Sequence, residues 1–433
     1  MSSKLNSKLI SLEEITWQFV DNLRCKTNVN AWVQDSDLLI HQITRYAEVA
    51  ETSSTRMPLP LKGIIVGVKD NISTIDFPTL MGTEFWKGTP GSFDARVVSR
   101  MRNLGAIVGG KTRCSEFAVH QRTQTLNPRY LDSEPGTSSS GSAAAVANGE
   151  VSIALGTQTA GSIIKPASYC GVIGFKPSFG DIPRTGVLKT TELFDTVGFL
   201  GRRVSDIEYL YKQLRVTGRN YPIHMSKRRE ASEKQFDQIV LFSGSHVDDT
   251  SVFIKQQLVN LGRELSKRLQ IPFLDNFDFD FEGLREHFYN VYYRDLAYFI
   301  RDHNVEKSIS EELGHVLEFG LNLEAAAYTF SRQKIFEWQS FIAQLDTNPL
   351  ILSLATSNSA PKVGKSDLID ANVFITSAGL PQICLPLLRS ETGQLIGVSI
   401  SSKRFYDEQV LRLATTLCPF DALTIPSFDF PVL

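Results

Sequence analysis

The segment Ser142-Ala-Ala-Ala-Val-Ala-Asn-Gly149 constrains this chain more than any other. It favours a helix, yet has neither a charged face for water nor large apolar side chains, so neighbours must close tightly around it. Two loops of small residues lie beside it. Pro135-Gly-Thr-Ser-Ser-Ser-Gly-Ser142 leads into the helix, and Gly156-Thr-Gln-Thr-Ala-Gly-Ser-Ile163 follows the strand-like Val151-Ser-Ile-Ala-Leu155. They set Ser138 and Ser162 24 positions apart. A Ser/Gly/Thr run is ordinarily a flexible linker, but a linker would not run straight into Ala143-Ala-Ala-Val-Ala147.

Helix and strand patterns alternate around this segment. Ser11 followed by Glu14 makes a capping box, and Ile15, Phe19, Val20 and Leu23 recur at helical spacing. Leu61-Lys-Gly-Ile-Ile-Val-Gly-Val68 reads as a buried strand with Lys69 at its end. Asp94 to Leu104 reads as a helix closed by Gly105, and Ala106-Ile-Val-Gly109 as the next strand. From about 203 to 349 the texture is helical, with a charged hinge at Lys227-Arg-Arg-Glu230 and an aromatic stretch from Phe273 to Tyr298. Strand-like material returns at Ile383-Cys-Leu-Pro-Leu387 and Ile396-Gly-Val-Ser-Ile400, before a last helix near Glu408 to Leu417.

The predicted fold class is therefore α/β: a single large domain over 1–433, with a mixed central sheet covered by helices on both faces. Within it, 10–60 is an N-terminal helical segment and 61–202 a core. Residues 203–349 form a variable helical region, and 350–425 return to the core sheet.

Several function classes are excluded. The 45 basic and 47 acidic side chains balance to −2, which leaves no electrostatic footprint for nucleic acid or anionic lipid. Five scattered cysteines, an odd number without CxxC spacing, argue against a zinc ribbon or disulfide framework and for a reducing compartment. No run of 18 apolar residues occurs, and the first residues lack an apolar core of the leader type, so a cytoplasmic protein is expected. Gly156 and Gly161 are followed by Ser-Ile rather than Lys-Ser, which is no phosphate loop, and neither GxSxG nor HExxH is present. The seven histidines, among them His120, His287 and His303, stand isolated, and structural roles are expected for them. No metal and no cofactor is expected.

With Lys69 in Gly67-Val-Lys-Asp-Asn71, the two serine loops resemble the amidase signature family, whose members use a Ser-Ser-Lys triad without histidine. The resemblance runs from about residue 10 to 425. It continues in Gly105-Ala-Ile-Val-Gly-Gly-Lys-Thr112, Glu116-Phe-Ala118, Pro166-Ala-Ser-Tyr-Cys-Gly-Val-Ile-Gly-Phe-Lys-Pro-Ser178, Asp195-Thr-Val-Gly-Phe199, Gly379-Leu-Pro-Gln-Ile-Cys-Leu-Pro386 and Phe405-Tyr-Asp-Glu408. It implies Ser162 as nucleophile, Ser138 as a proton shuttle held in a cis peptide, and Lys69 as base. It also implies an oxyanion hole at Thr159, Ala160, Gly161 and Ser162, with Thr137, Ser139 and Gln158 supporting. The residue types suit that chemistry. Small side chains at 159–161 let backbone N–H groups approach a substrate carbonyl. A lysine base must be neutral, which means lowering its pKa from about 10.4 towards about 7–8. The apolar Ile64-Ile-Val-Gly-Val68 can do this by burial, provided Asp70 points to the opposite face, as strand alternation places it.

The expected function is hydrolysis of a linear, small-molecule amide through a Ser162 acyl-enzyme. The alternative is a biosynthetic acyltransferase of the same fold, and after it the glutaminase subunit of a tRNA-dependent amidotransferase. Many relatives carry Asp, Gly and Arg where this chain has Gln158, Ala160 and Ile164, with Lys165 as a substitute cation next door. The departures at Gln158 and Ile164 are expected to move the chain away from the glutaminase subunits, and none of the changes touches the triad. Neither nucleic acid nor membrane is expected as partner, and a homodimer is compatible.

Overall fold

The computed structural model describes residues 12–25, 27, 29–52, 59–86, 93–119, 121–242, 250–275, 277, 283–306, 308–365 and 372–422. The helix predicted near the N-terminus is α1 (Leu12–Cys25), followed by α2 (Ser36–Thr52); the capping residue Ser11 lies outside the described residues. The strand-helix-strand pattern folds as β1 (Ile65–Lys69), α3 (Arg96–Asn103) and β2 (Ile107–Thr112), with β1 and β2 parallel. The small-residue run becomes α4 (Ser140–Ala147), then β3 (Ile153–Gln158), α5 (Ile164–Cys170), β4 (Ile173–Lys176) and β5 (Thr196–Gly201).

Beyond β5 come α6 (Val204–Leu214), α7 (Pro222–Ser232), β6 (Gln238–Leu241), α8 (Val252–Leu269) and β7 (Phe273–Leu274). The helices α9 (Leu284–Asp302), α10 (Glu311–Asn322) and α11 (Ala325–Gln344) follow. The chain closes with β8 (Pro349–Leu354), α12 (Val373–Ser377), β9 (Gln382–Arg389), β10 (Leu395–Ser401) and α13 (Asp407–Leu417). Among the described residues, ten strands form one mixed sheet in the order β2-β1-β3-β5-β4-β9-β10-β8-β6-β7, flanked by helices. The molecule is a single domain. None of the described helices is long and apolar enough to cross a membrane.

Two expectations are corrected here. Residues 203–349 are not purely helical: β6 and β7 extend the sheet, β6 pairing in parallel with β8 and β7 with β6. Strands of four and two residues are too short to show a period of their own. The Lys227-Arg-Arg-Glu230 segment is no hinge. It lies inside α7, whose start carries Pro222 in the first turn.

Burial explains the small residues. Ser140 to Val146 of α4 are all buried, and α4 packs against α5, β1 and β3. Gly141 donates its N–H to Arg113 O (3.0 Å), and a Cβ there would meet the backbone of Ala31 and Arg113. Because backbone cannot yield as a flexible side chain can, Gly141→Ala should lower unfolding free energy by about 3 kcal/mol, measured by urea denaturation. A change under about 0.5 kcal/mol would contradict this packing.

One apolar cluster lines the sheet from Phe19 to Ala422. A second joins α9, α10 and α11 to Phe117, Phe194 and Ala160, so the core of the helical layer reaches the turn that carries Ser162.

Candidate active site

Parallel pairing brings the end of β1 beside β3. Val68 stands opposite Leu155, and Lys69, one residue on, turns its side chain towards Thr157. Lys69 is fully buried, and its Nζ donates to Ser138 Oγ (2.8 Å), Thr157 Oγ1 (2.9 Å) and Thr157 O (3.4 Å). Asn71 Nδ2 holds the same Thr157 hydroxyl at 2.9 Å. Burial lowers the Lys69 pKa from 10.5 to about 8, against the opposing influence of Cys114 and Asp195.

Asp70 faces the other way. It sits 3.5 Å from Lys111 Nζ, which also donates to Ile72 O and Thr79 Oγ1, both at 2.6 Å. The described core contains further buried lysines, and their partners tell them apart. Lys111 has a carboxylate, Lys176 donates to the carbonyls of Pro177 and Leu380, and Lys69 alone of these three meets a serine hydroxyl.

Ser138 follows a cis peptide from Thr137 and is buried. Its loop is tied down at three points. Ser115 N donates to Ser138 O (3.3 Å), Ser139 N to Ser162 O (3.3 Å) and Ser139 Oγ to Thr157 O (3.2 Å). Gly136 has φ +84°, and a Cβ there would stand 2.9 Å from Pro166 Cα, so the loop closes on α5 only with glycine at this place. The contact through Ser139 sets the two serine loops side by side. The hydroxyls of Ser138 and Ser162 do not hydrogen-bond each other.

Gln158 Oε1 organises the second turn by accepting from Ile163 N (3.0 Å) and Ile164 N (3.1 Å). Its Nε2 donates to Thr376 Oγ1 (3.0 Å) and Gln382 Oε1 (3.2 Å), and Thr376 Oγ1 donates to Ala160 O (3.1 Å). Among the described residues no acceptor takes the N–H groups of Ala160, Gly161 or Ser162. Gly161 and Ile163 are buried, whereas Ser162 between them is half-buried and reachable. Ile164 and Lys165 are both buried.

The three triad candidates and the turn 159–162 are thus neighbours, with Thr137 and Ser139 in the loop that holds Ser138 and Gln158 at the end of β3. Two of the described histidines have partners away from the triad candidates: His287 Nδ1 pairs with Ser331 Oγ (3.1 Å) and His303 Nδ1 contacts Phe299 O (2.8 Å), while His120 lies outside the described residues. No group of three or more His, Cys, Asp or Glu among the described residues could hold a metal ion. Sequence reasoning missed Thr157, Asn71 and the Asp195 carboxylate, which takes the Thr159 hydroxyl at 2.6 Å. Alternation along β3 could have turned Thr157 towards Lys69; nothing local points Asp195 at Thr159.

Three comparisons bear on this site. The Amidase family model matches residues 14–236, more than half of the chain. A glutamyl-tRNA(Gln) amidotransferase subunit of Methanosarcina mazei is 36% identical over 206 residues, 46% of this chain, and the matched part spans 42% of that relative's length. Among solved structures, one described as "Crystal structure of amidase" superposes with TM-score 0.80 at 22% identity, covering 95% of this chain and 97% of that one. Another, described as "An unexpected vestigial protein complex reveals the evolutionary origins of an s-triazine catabolic enzyme", gives 0.83 at 22% identity over 98% of both chains. At that identity the two structures speak for the fold.

Proposed function

Because the chain belongs to the Amidase family, we propose that it hydrolyses the carbon–nitrogen bond of a small linear amide through an acyl-enzyme on Ser162. The observation that carries this reading is the 2.8 Å hydrogen bond between Lys69 and Ser138, buried beside a turn of unengaged N–H groups. In the neutral form Lys69 Nζ accepts the Ser138 proton while Ser138 Oγ takes the proton of Ser162. Ser162 Oγ then attacks the amide carbonyl, and the N–H groups of the 159–162 turn receive the oxyanion. The relay runs backwards to protonate the departing nitrogen, the carbon–nitrogen bond breaks, and water repeats the sequence to release the acid. These steps call on no metal or cofactor. The five cysteines, all free of disulfides, suit a reducing, cytoplasmic setting.

The acyl group of this reading is uncharged and apolar or aromatic. Ser115 N joins Ser138 to a segment in which Phe117 packs on Phe85, Trp86 and Phe299. An amide panel should therefore favour aryl and alkyl acyl groups over dicarboxylate-derived ones by roughly tenfold or more in kcat/KM. Preference for anionic acyl groups would refute this reading of the acyl group.

The Methanosarcina relative's name favours a second reading, a glutaminase subunit working with a synthesising partner. Glutamine turnover faster than that of every apolar amide, together with copurification of a partner chain from source cells, would put that reading first. A third outcome concerns the acceptor. Groups that protonate a leaving amine can by microscopic reversibility deprotonate an incoming one, so hydroxylamine should divert the acyl-enzyme to hydroxamate. Saturation by one specific amine at low concentration would make the protein an acyltransferase, and no hydroxamate at high hydroxylamine would leave strict hydrolysis.

A further inference from the structure

Antiparallel pairing of β3 with β5 ends at Gln158 opposite Thr196, and the next residues outward are Thr159 and Asp195. Asp195 is buried and accepts four hydrogen bonds. Thr159 Oγ1 (2.6 Å) and Thr190 Oγ1 (2.8 Å) donate to Oδ1; Thr190 N (2.6 Å) and Thr191 N (3.1 Å) donate to Oδ2. All four donors are neutral, and two are backbone N–H groups that can only donate. Both backbone donors meet Oδ2 and both hydroxyls meet Oδ1, so an asparagine at 195 could keep the two N–H bonds through its oxygen while its amide nitrogen met hydroxyls that can turn to accept; what the aspartate adds is two acceptor oxygens and a carboxyl that can carry charge.

We propose that Asp195 is a positioning residue for the reaction: it locks the oxyanion turn through Thr159 and supplies the buried negative charge that Lys69 faces. The inference rests on Ser162 being the nucleophile. Two charged or titratable groups besides Asp195 approach Lys69. Asp70, its neighbour in the chain, is engaged by Lys111 on the opposite face. Burial pushes the Cys114 thiol up to about 12, so it is neutral near pH 7. Asp195 itself faces Lys69, the Arg184 guanidinium and the Tyr292 phenol of α9, which burial holds well above its ordinary range. Burial raises the Asp195 pKa, while the threonine donors and Arg184 pull it down. Asp195 is thus the acidic group near the base whose ionised form would hold Lys69 more basic than burial alone would leave it.

The same cradle reaches the helical layer. Thr191 Oγ1 donates to Asp295 Oδ2 and Tyr328 OH to Asp295 Oδ1, both at 2.7 Å, which ties the loop holding Asp195 to α9 and α11. The turn at Thr159 is therefore braced from two sides, by Gln158 within the sheet and by Asp195 from the loop under the helices.

The test is the rate of Ser162 labelling by a fluorophosphonate as a function of pH, which needs no substrate, alongside kcat and KM on whichever amide the panel selects. Asp195→Asn should slow labelling and move its rising limb to lower pH by about half to one unit, because Lys69 loses its counter-charge. Thr159→Val keeps the charge and removes the lock, so it should lower kcat by roughly 10- to 100-fold with KM little changed and the limb in place. A folded Asp195→Asn variant whose limb does not move overturns the charge role. Should that variant not fold, Thr159→Val decides: kcat within about twofold of the parent overturns the lock. An unlabelled parent protein would defeat the Ser162 reading and this inference with it, whereas a labelled parent with indifferent variants defeats the inference alone.

Discussion

Ser162→Ala should lose turnover by about 10⁴- to 10⁶-fold and take up no fluorophosphonate, while folding as the parent does. The size of the loss follows from the role. Without the hydroxyl there is no covalent intermediate, and what remains is the help that open N–H groups give to attack by water. Folding is spared because Ser162 is half-buried and its fold contact is through the backbone, Ser139 N to Ser162 O at 3.3 Å, which alanine keeps. Mass spectrometry of the labelled protein should place the adduct on the peptide bearing Ser162. Labelling that persists in the alanine variant would assign the nucleophile elsewhere.

Removing the base should cost nearly as much. Lys69→Met fills about the same volume as the parent side chain, and Ser138→Ala deletes one oxygen from the relay. Each should lower kcat/KM by about 10³- to 10⁵-fold, and the double variant should be little worse than the worse single, because members of one relay act as a unit. Additive losses would mean separate roles. In the parent, kcat/KM should climb about tenfold per pH unit below about 8 and level above it, since only neutral Lys69 accepts a proton. An unchanged acid limb in Lys69→Met would refute the lysine as base.

Stability gives an independent reading of the same lysine. Its folded pKa of about 8 lies below the 10.5 of the exposed side chain, so between those values the unfolded chain binds more protons. Charging Lys69 therefore costs stability below about pH 8, and the cost fades as pH rises towards 10.5. Lys69→Met should for that reason be at least as stable as the parent at pH 7, with its advantage shrinking at high pH. The burial that suits Lys69 to the proposed base role is thus one that costs the fold stability at neutral pH.

The unequal legibility of the elements has physical causes. α4 could be read because a helix of alanines and serines has one stable environment, full enclosure, and the structure buries it so. β1 and the direction of Asp70 could be read because side chains alternate along a strand whatever it pairs with. β6 and β7 could not, since strands of four and two residues exist through their neighbours in the sheet and not through any period of their own. The hinge at Lys227 failed for a related reason: a cluster of charges is as much at home on an exposed helix as in a loop, and α7 is exposed along that face.

At the site, the sequence by itself determined the small-residue turns, the two serines and the lysine at a strand end. Those features are local, because backbone N–H groups can approach a carbonyl only where side chains are small, and a lysine turns neutral only within an apolar run. Tertiary structure alone decided which partners meet them. Lys69 reaches Ser138 and Thr157 across 69 and 88 positions of chain, and Asp195 reaches Thr159 across 36. Those contacts depend on strand order and register, which set β1 beside β3 and β3 beside β5. Register is a property of the assembled sheet: it is chosen by the burial of every strand face at once, and no single segment carries it.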